Sequence, residues 1–214
     1  MFGRSLTLAK KISQGDDRQR LLLAQEAARI IVDQGLRDYR AAKIKAAERL
    51  GLGDRRSLPG NAEIEAAVGE HLQLFGRESH ASLLRTMREA AVSAMQFLSA
   101  WTPRLVGPVL NGTADANSAV NLHVFADSAE AVAMHLGDNG IGYRAYERRL
   151  KSQRKRKAAT TTYAGFRFDH GQATVEATVF PVDGIRQAPL SPIDGRPMQR
   201  ADLETVRALL AGTD

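Results

Sequence analysis

Val120-Asn121-Leu122-His123-Val124-Phe125-Ala126, followed by Asp127 and Ser128, decides how the second half of the chain is read. Through Ala126 the side chains alternate at a period of two, the pattern of a strand with one face turned to a core. At Ser128 the period changes. Ala131, Val132 and Leu136 recur at helical spacing behind a residue suited to N-capping, and Asn139-Gly140 closes the run.

The alternation assigns faces. Val120, Leu122 and Val124 share one side of this strand, and Asn121, His123 and Phe125 the other. Ala173–Pro181 repeats the pattern, with Val175, Ala177 and Val179 opposed to Thr174, Glu176 and Thr178. Arg167 lies between Phe166 and Phe168 on a third strand. If the apolar faces pack on helices, Asn121, His123, Glu176 and Arg167 meet on the uncovered face, and Glu176, His123 and Asn121 are the candidate catalytic groups. The competing reading is a plain solvated outer face, which antiparallel sheets commonly have.

Working outward, further strands are expected at Leu105–Leu110, Ile141–Leu150 and Tyr163–Asp169. A Pro/Gly-rich stretch, Pro189–Pro197, leads to a last helix from Asp202 to Leu210. The order β-β-α-β-β-β predicts a mixed sheet with helices on one face.

The first hundred residues read as four helices. One runs from Asp17 to Val32 and stops at Gly35, and Asp38 caps a second that ends at Gly51. A loop at Gly53–Gly60 precedes a third helix capped by Asn61, with Glu63 and Glu65 in its first turn. Leu83 through Trp101 form the fourth, stopped at Thr102-Pro103. The expected class is α+β: a helical region at 1–103, then an α/β region at 104–214 with a basic insert at 144–157.

The composition is that of a globular protein, with 43% hydrophobic and 25% charged residues among 214. There is no cysteine, which excludes disulfides, thiolate nucleophiles and zinc ribbons. The longest apolar run is too short to span a bilayer, and Met1–Gln14 lacks the apolar centre of a signal peptide. A cytoplasmic protein with no membrane partner is the expectation.

Net charge is +6 and unevenly placed. Val106–Gly142 has no lysine or arginine, whereas Tyr143–Lys157 has 8 against one acid. Arg148, Arg149, Lys151, Arg154, Lys155, Arg156 and Lys157 are expected on a long hairpin tip, extended by mutual repulsion until phosphates neutralise it. A solvated loop is the alternative. Ala27–Leu52 is similar to the opening of TetR-type regulators, with Arg40, Lys43, Lys45 and Arg49 suited to DNA. The groove-reading helix does not follow, however, so an ordinary helical hairpin stands beside that reading.

Several chemistries are excluded. No G-x-x-x-x-G-K-[ST] loop, G-x-S-x-G elbow or H-E-x-x-H helix occurs. His71, His80, His123, His135 and His170 show no metal-ligand spacing.

Leu110-Asn111-Gly112-Thr113, then Ser118-Ala119-Val120-Asn121-Leu122-His123-Val124, resembles the opening of the nucleotidyltransferase fold. That family carries a Gly-Ser turn after a strand, two metal-binding aspartates on the next strand and a third carboxylate on a later one. The resemblance covers about the second half of the chain. It assigns Gly112, Thr113, Ser118 and Arg167 to nucleotide binding and Glu176 to the third carboxylate. Ala119 and Asn121 stand where the two aspartates belong, which implies a divergent, catalytically inactive member with no metal ligands. Mg²⁺ would enter only in an active one. The whole chain, including Leu36–Leu50 and Ala188–Arg200, also resembles a conserved bacterial family with no established activity. Beside a nucleotide- or nucleic-acid-binding protein of this type stand two alternatives. One is a regulatory nucleic-acid binder using the N-terminal helices and the insert, and the other is a protein-interaction module.

Overall fold

Capping residues and glycines set the helix limits at the N-terminal end. The computed structural model describes residues 3–36, 38–52, 58–75, 77–152 and 159–212. Helix α1 spans Gly3–Gln34 and ends where Gly35 takes a φ of 62°. Helix α2, Tyr39–Arg49, begins at Asp38, whose carboxylate accepts from the backbone N–H groups of Arg40 and Ala41. In α3, Asn61–Phe75, the cap is Gly60 rather than the expected Asn61. The Glu63 carboxylate reaches back to the Gly60 N–H at 2.7 Å, half of a capping box, while Asn61 accepts from Lys43 Nζ at 2.8 Å.

These helices enclose a core of Leu23, Ala27, Ala28, Ile30, Ala42, Ala46, Ile64 and Val68. Its alanines suit helices packed at close range. Tyr39 donates its hydroxyl to the Glu65 carboxylate at the edge. Three of the four basic residues considered for DNA reading are engaged inside this unit: Lys43 with Asn61, Lys45 with Gln34 at 3.3 Å and Arg49 with Glu26 at 3.1 Å.

Contacts divide the chain at 77/78, into Met1–Arg77 and Glu78–Asp214, whereas the change from helical to strand periodicity after Pro103 suggested 103/104. The reason is helix α4, Arg77–Phe97, whose stripe of Leu84, Met87, Ala91, Ala94 and Met95, with Leu98 just beyond it, lies in the core of the sheet. It ends earlier than expected, in a 3₁₀ turn at Ser99–Trp101.

Five strands follow: β1 Arg104–Val106, β2 Val120–Phe125, β3 Tyr143–Ser152, β4 Ala159–His170 and β5 Ala173–Phe180. The spatial order is β1-β2-β5-β4-β3; only β2 and β5 run parallel, so the sheet is mixed. The strand expected at Leu105–Leu110 is cut short. Gly107 adopts a φ of 73° and Pro108 opens the one-turn helix α5, Pro108–Asn111, because proline suits a first helical turn and cannot donate to a ladder. Helix α6, Ala129–Asp138, is capped by the Ser128 hydroxyl, and α7, Leu203–Ala211, by Asp202.

The protein is therefore α+β, a helical N-terminal region followed by a mixed sheet. Residues of α4, α5, α6 and α7 join Val120, Leu122, Val124, Val175, Ala177 and Val179 in one core, so the helices cover a single face of the sheet. No described helix is long and apolar enough to cross a membrane.

The expected basic hairpin tip is corrected in part. Residues 144–152 lie in strand β3, fully paired with β4, which carries the strand expected at Ile141–Leu150 on to Ser152. Arg154, Lys155, Arg156 and Lys157 lie outside the described residues.

Candidate functional site

The face of the sheet opposite the helices carries the polar residues that alternation assigned to it. In the parallel β2–β5 pair, Asn121 stands beside Glu176 and His123 beside Thr178. Strand β4 sets Arg167 beside Glu176, and β3 sets Arg144 beside Arg167 and Tyr146 beside Gly165. At the other edge, β1 places Arg104 next to His123.

Glu176 is the centre of this group. Its Oε2 accepts from Arg148 Nη2 at 2.7 Å and its Oε1 from Arg167 Nη1 at 3.3 Å, with the Glu176 side chain only 11% exposed. Arg148 also donates to Asn121 Oδ1 at 3.4 Å, and Asn121 Nδ2 donates to the Ala119 carbonyl at 3.1 Å. Both oxygens of the Glu176 carboxylate are thus engaged by charge-assisted guanidinium donors.

Tyr146 builds one wall. Its hydroxyl shares a hydrogen bond with Thr178 Oγ1 at 3.0 Å, and the Arg148 guanidinium lies 5.3 Å from its ring centroid. The ring crosses directly over Gly165, where a Cβ would sit 2.3 Å from it; only glycine allows this approach. Burial pushes the Tyr146 phenol up from its ordinary pKa.

His123 departs from the expectation of an accessible catalytic group, being only 1% exposed. Arg200 covers it. Arg200 Nε donates to His123 Nδ1 at 3.0 Å, and its Nη1 donates to the carbonyls of Gly184 at 2.9 Å and Ile185 at 3.4 Å. The guanidinium also stacks over Phe125 and Phe180, at 5.1 and 5.0 Å from their centroids. Arginine can only donate, so Nδ1 is the acceptor and the imidazole proton sits on Nε2. Burial, followed by the charges of Arg200 and Arg148, holds the His123 pKa well below its usual value. Burial likewise brings Arg200 down to about 10. His123 Nε2 and Arg200 Nη2 are buried without a hydrogen-bond partner among the described residues.

The turn residues serve local structure. Gly112 is the left-handed cap of α5 at a φ of 80°, and Thr113 donates its N–H to the Pro108 carbonyl. Ser118 exchanges hydrogen bonds with Asp115 inside the loop that enters β2. The predicted cationic set is divided by alternation: Arg148 points to the Glu176 side of β3, and Arg149 and Lys151 to the other. Among the described residues no three His, Cys, Asp or Glu side chains gather as they would to hold a metal ion.

Sequence reasoning missed Arg200. It comes from the irregular stretch before α7, 77 positions from His123, and periodicity carries no signal across such a distance. Arg104 and Arg144 were missed because strand pairing, not composition, puts them on this face. Arg104, Arg144, Arg148, Arg167 and Arg200 thus oppose Glu176 and Asp169 across the outer face, an arrangement that attracts anions.

No protein-family model matches the chain, and neither a curated protein nor a solved structure gives a significant match.

Proposed function

We propose that the outer face of the sheet binds a phosphate-bearing ligand, a nucleotide or a nucleic acid, in the cytoplasm, and that the chain is a divergent, non-catalytic nucleotidyltransferase-like protein. The observation that carries this reading is the Glu176 clamp. Arg148 and Arg167 each give one donor to the carboxylate and remain 32% and 49% exposed, leaving further guanidinium N–H groups for an anion. Glu176 is then a counter-ion, occupying donors that a phosphate would take, rather than a metal ligand. The proximity of Asn121 and Glu176 on adjacent parallel strands supports the family resemblance, and Ala119 and Asn121 in place of carboxylates support the absence of two-metal chemistry.

The test is calorimetric titration of ATP, inorganic tripolyphosphate and single-stranded RNA in the presence of EDTA. Loss of charge-assisted hydrogen bonds in Arg148→Ala/Arg167→Ala should weaken binding at least about tenfold. Arg148→Lys/Arg167→Lys, which keeps the charge and loses the fork, should be intermediate. ATP and RNA binding that survives both variants unchanged would overturn the assignment. The engagement of Lys43, Lys45 and Arg49 within the first unit favours this face over the N-terminal helices as the anion site.

A further inference from the structure

The β3–β4 pair continues past the end of its neighbour. Strand β5 pairs with β4 only from Gly165 to His170, whereas β3 stays paired with β4 out to Ser152 and Ala159. The stretch from Glu147 to Ser152 and its partners from Ala159 to Ala164 is therefore a two-stranded ribbon. On one face Tyr163 packs at a tilt on Phe180, 4.3 Å between centroids, and at the edge of β3 the Leu190 N–H bonds the Lys151 carbonyl at 2.8 Å.

The other side carries Glu147, Arg149 and Lys151 on β3 and Thr160, Thr162 and Ala164 on β4, all exposed. Arg149 lies opposite Thr162 and Lys151 opposite Thr160, so each cation has a hydroxyl beside it. Neither cation makes an ion pair with a described residue. Same-face neighbours on a strand stand about 7 Å apart, a separation comparable to that of successive phosphates along one nucleic-acid strand.

We propose that this ribbon face is a second anion site, distinct from the Glu176 face, which docks the phosphate backbone of a nucleic-acid duplex. Arg149 and Lys151 neutralise neighbouring phosphates, and the Thr160 and Thr162 hydroxyls donate to their oxygens. A duplex fits better than a single strand because this face has no aromatic ring for unpaired bases to stack on. It fits better than an anionic bilayer because the face offers no large apolar side chain to insert, Leu150 pointing the other way. A two-stranded ribbon also has the width that a B-form major groove admits. The inference shares with the preceding reading only the phosphate chemistry, and it stands on different residues.

Fluorescence anisotropy of the full chain with labelled duplex DNA, duplex RNA and the corresponding single strand tests it. Arg149→Ala/Lys151→Ala should weaken duplex binding about tenfold and lower the slope of log affinity against log salt by about 2. Arg148→Ala/Arg167→Ala should leave duplex binding in place while ATP binding falls, which separates failure of one site from failure of the other. Arg85→Ala/Arg207→Ala removes equal charge elsewhere on the second unit and should change neither. Because the ribbon suits a B-form major groove, duplex DNA should bind more tightly than duplex RNA, and the reverse order would overturn the proposal. An Arg149→Ala/Lys151→Ala slope unchanged from wild type would overturn the proposal. So would a loss matched by Arg85→Ala/Arg207→Ala, a preference for the single strand, or a preference for phosphatidylserine vesicles.

Discussion

On the inner face of the β2–β5 pair, Val120, Leu122 and Val124 meet Val175, Ala177 and Val179 in a buried apolar core. One residue along, the same two strands hold Asn121 beside Glu176 and His123 beside Thr178. The backbone ladder is common to both faces, and the forces are not. The inner face works by area and volume, and many apolar side chains of suitable size would serve there. The outer face works by matched partners: Glu176 needs Arg148 and Arg167, His123 needs Arg200, and Tyr146 needs a residue without a Cβ beneath it. Substitutions on the first face should therefore change stability alone, whereas those on the second should also change pH response or ligand affinity.

The largest effect is expected inside. Leu122 is fully buried, so Leu122→Ala should lower unfolding stability by about 2–5 kcal/mol in urea titrations, with ATP affinity retained by the folded fraction. Next comes Gly165→Ala, whose Cβ meets the Tyr146 ring; overpacking of this kind costs about 1–3 kcal/mol. The double change Gly165→Ala/Tyr146→Ala should recover part of that loss, a non-additivity that a double-mutant cycle reads directly.

A smaller and graded effect follows from His123. Its folded pKa is depressed, so below about pH 6.5 the unfolded chain binds the proton and the native protein does not. Stability should then fall as pH drops from about 6.5 toward the folded pKa, by up to about 1.4 kcal/mol per unit. His123→Asn keeps an acceptor for Arg200 and should flatten that dependence; an unaltered slope would place its origin elsewhere.

Which parts of the fold were legible in the sequence follows the same division. Alternation in Val120–Phe125 and Ala173–Phe180 placed Asn121, His123 and Glu176 on one face, because that rule is local and geometric. The caps at Asp38 and Ser128 were readable for the same reason. Gly107-Pro108 contained the information that ends β1, yet the apolar run around it masked the break. The long-range partners were not readable. Nothing local says that Arg148 and Arg167 converge on Glu176, that Arg200 closes over His123, or that α4 joins the sheet's core; these depend on which strands and segments become neighbours. The arginine-rich stretch was read both as the end of a strand at Ile141–Leu150 and as a hairpin tip; the strand prevails to Ser152, and its alternation divides the cations between two faces.

The most direct test of the central claim is ATP titration of Glu176→Gln with and without Mg²⁺. If Glu176 is the counter-ion of an anion site, removing its charge beside two guanidinium groups should tighten ATP binding severalfold, with no dependence on the metal. Weaker binding by the variant, together with a Mg²⁺-dependent nucleotide transfer that the wild type performs and the variant lacks, would contradict it.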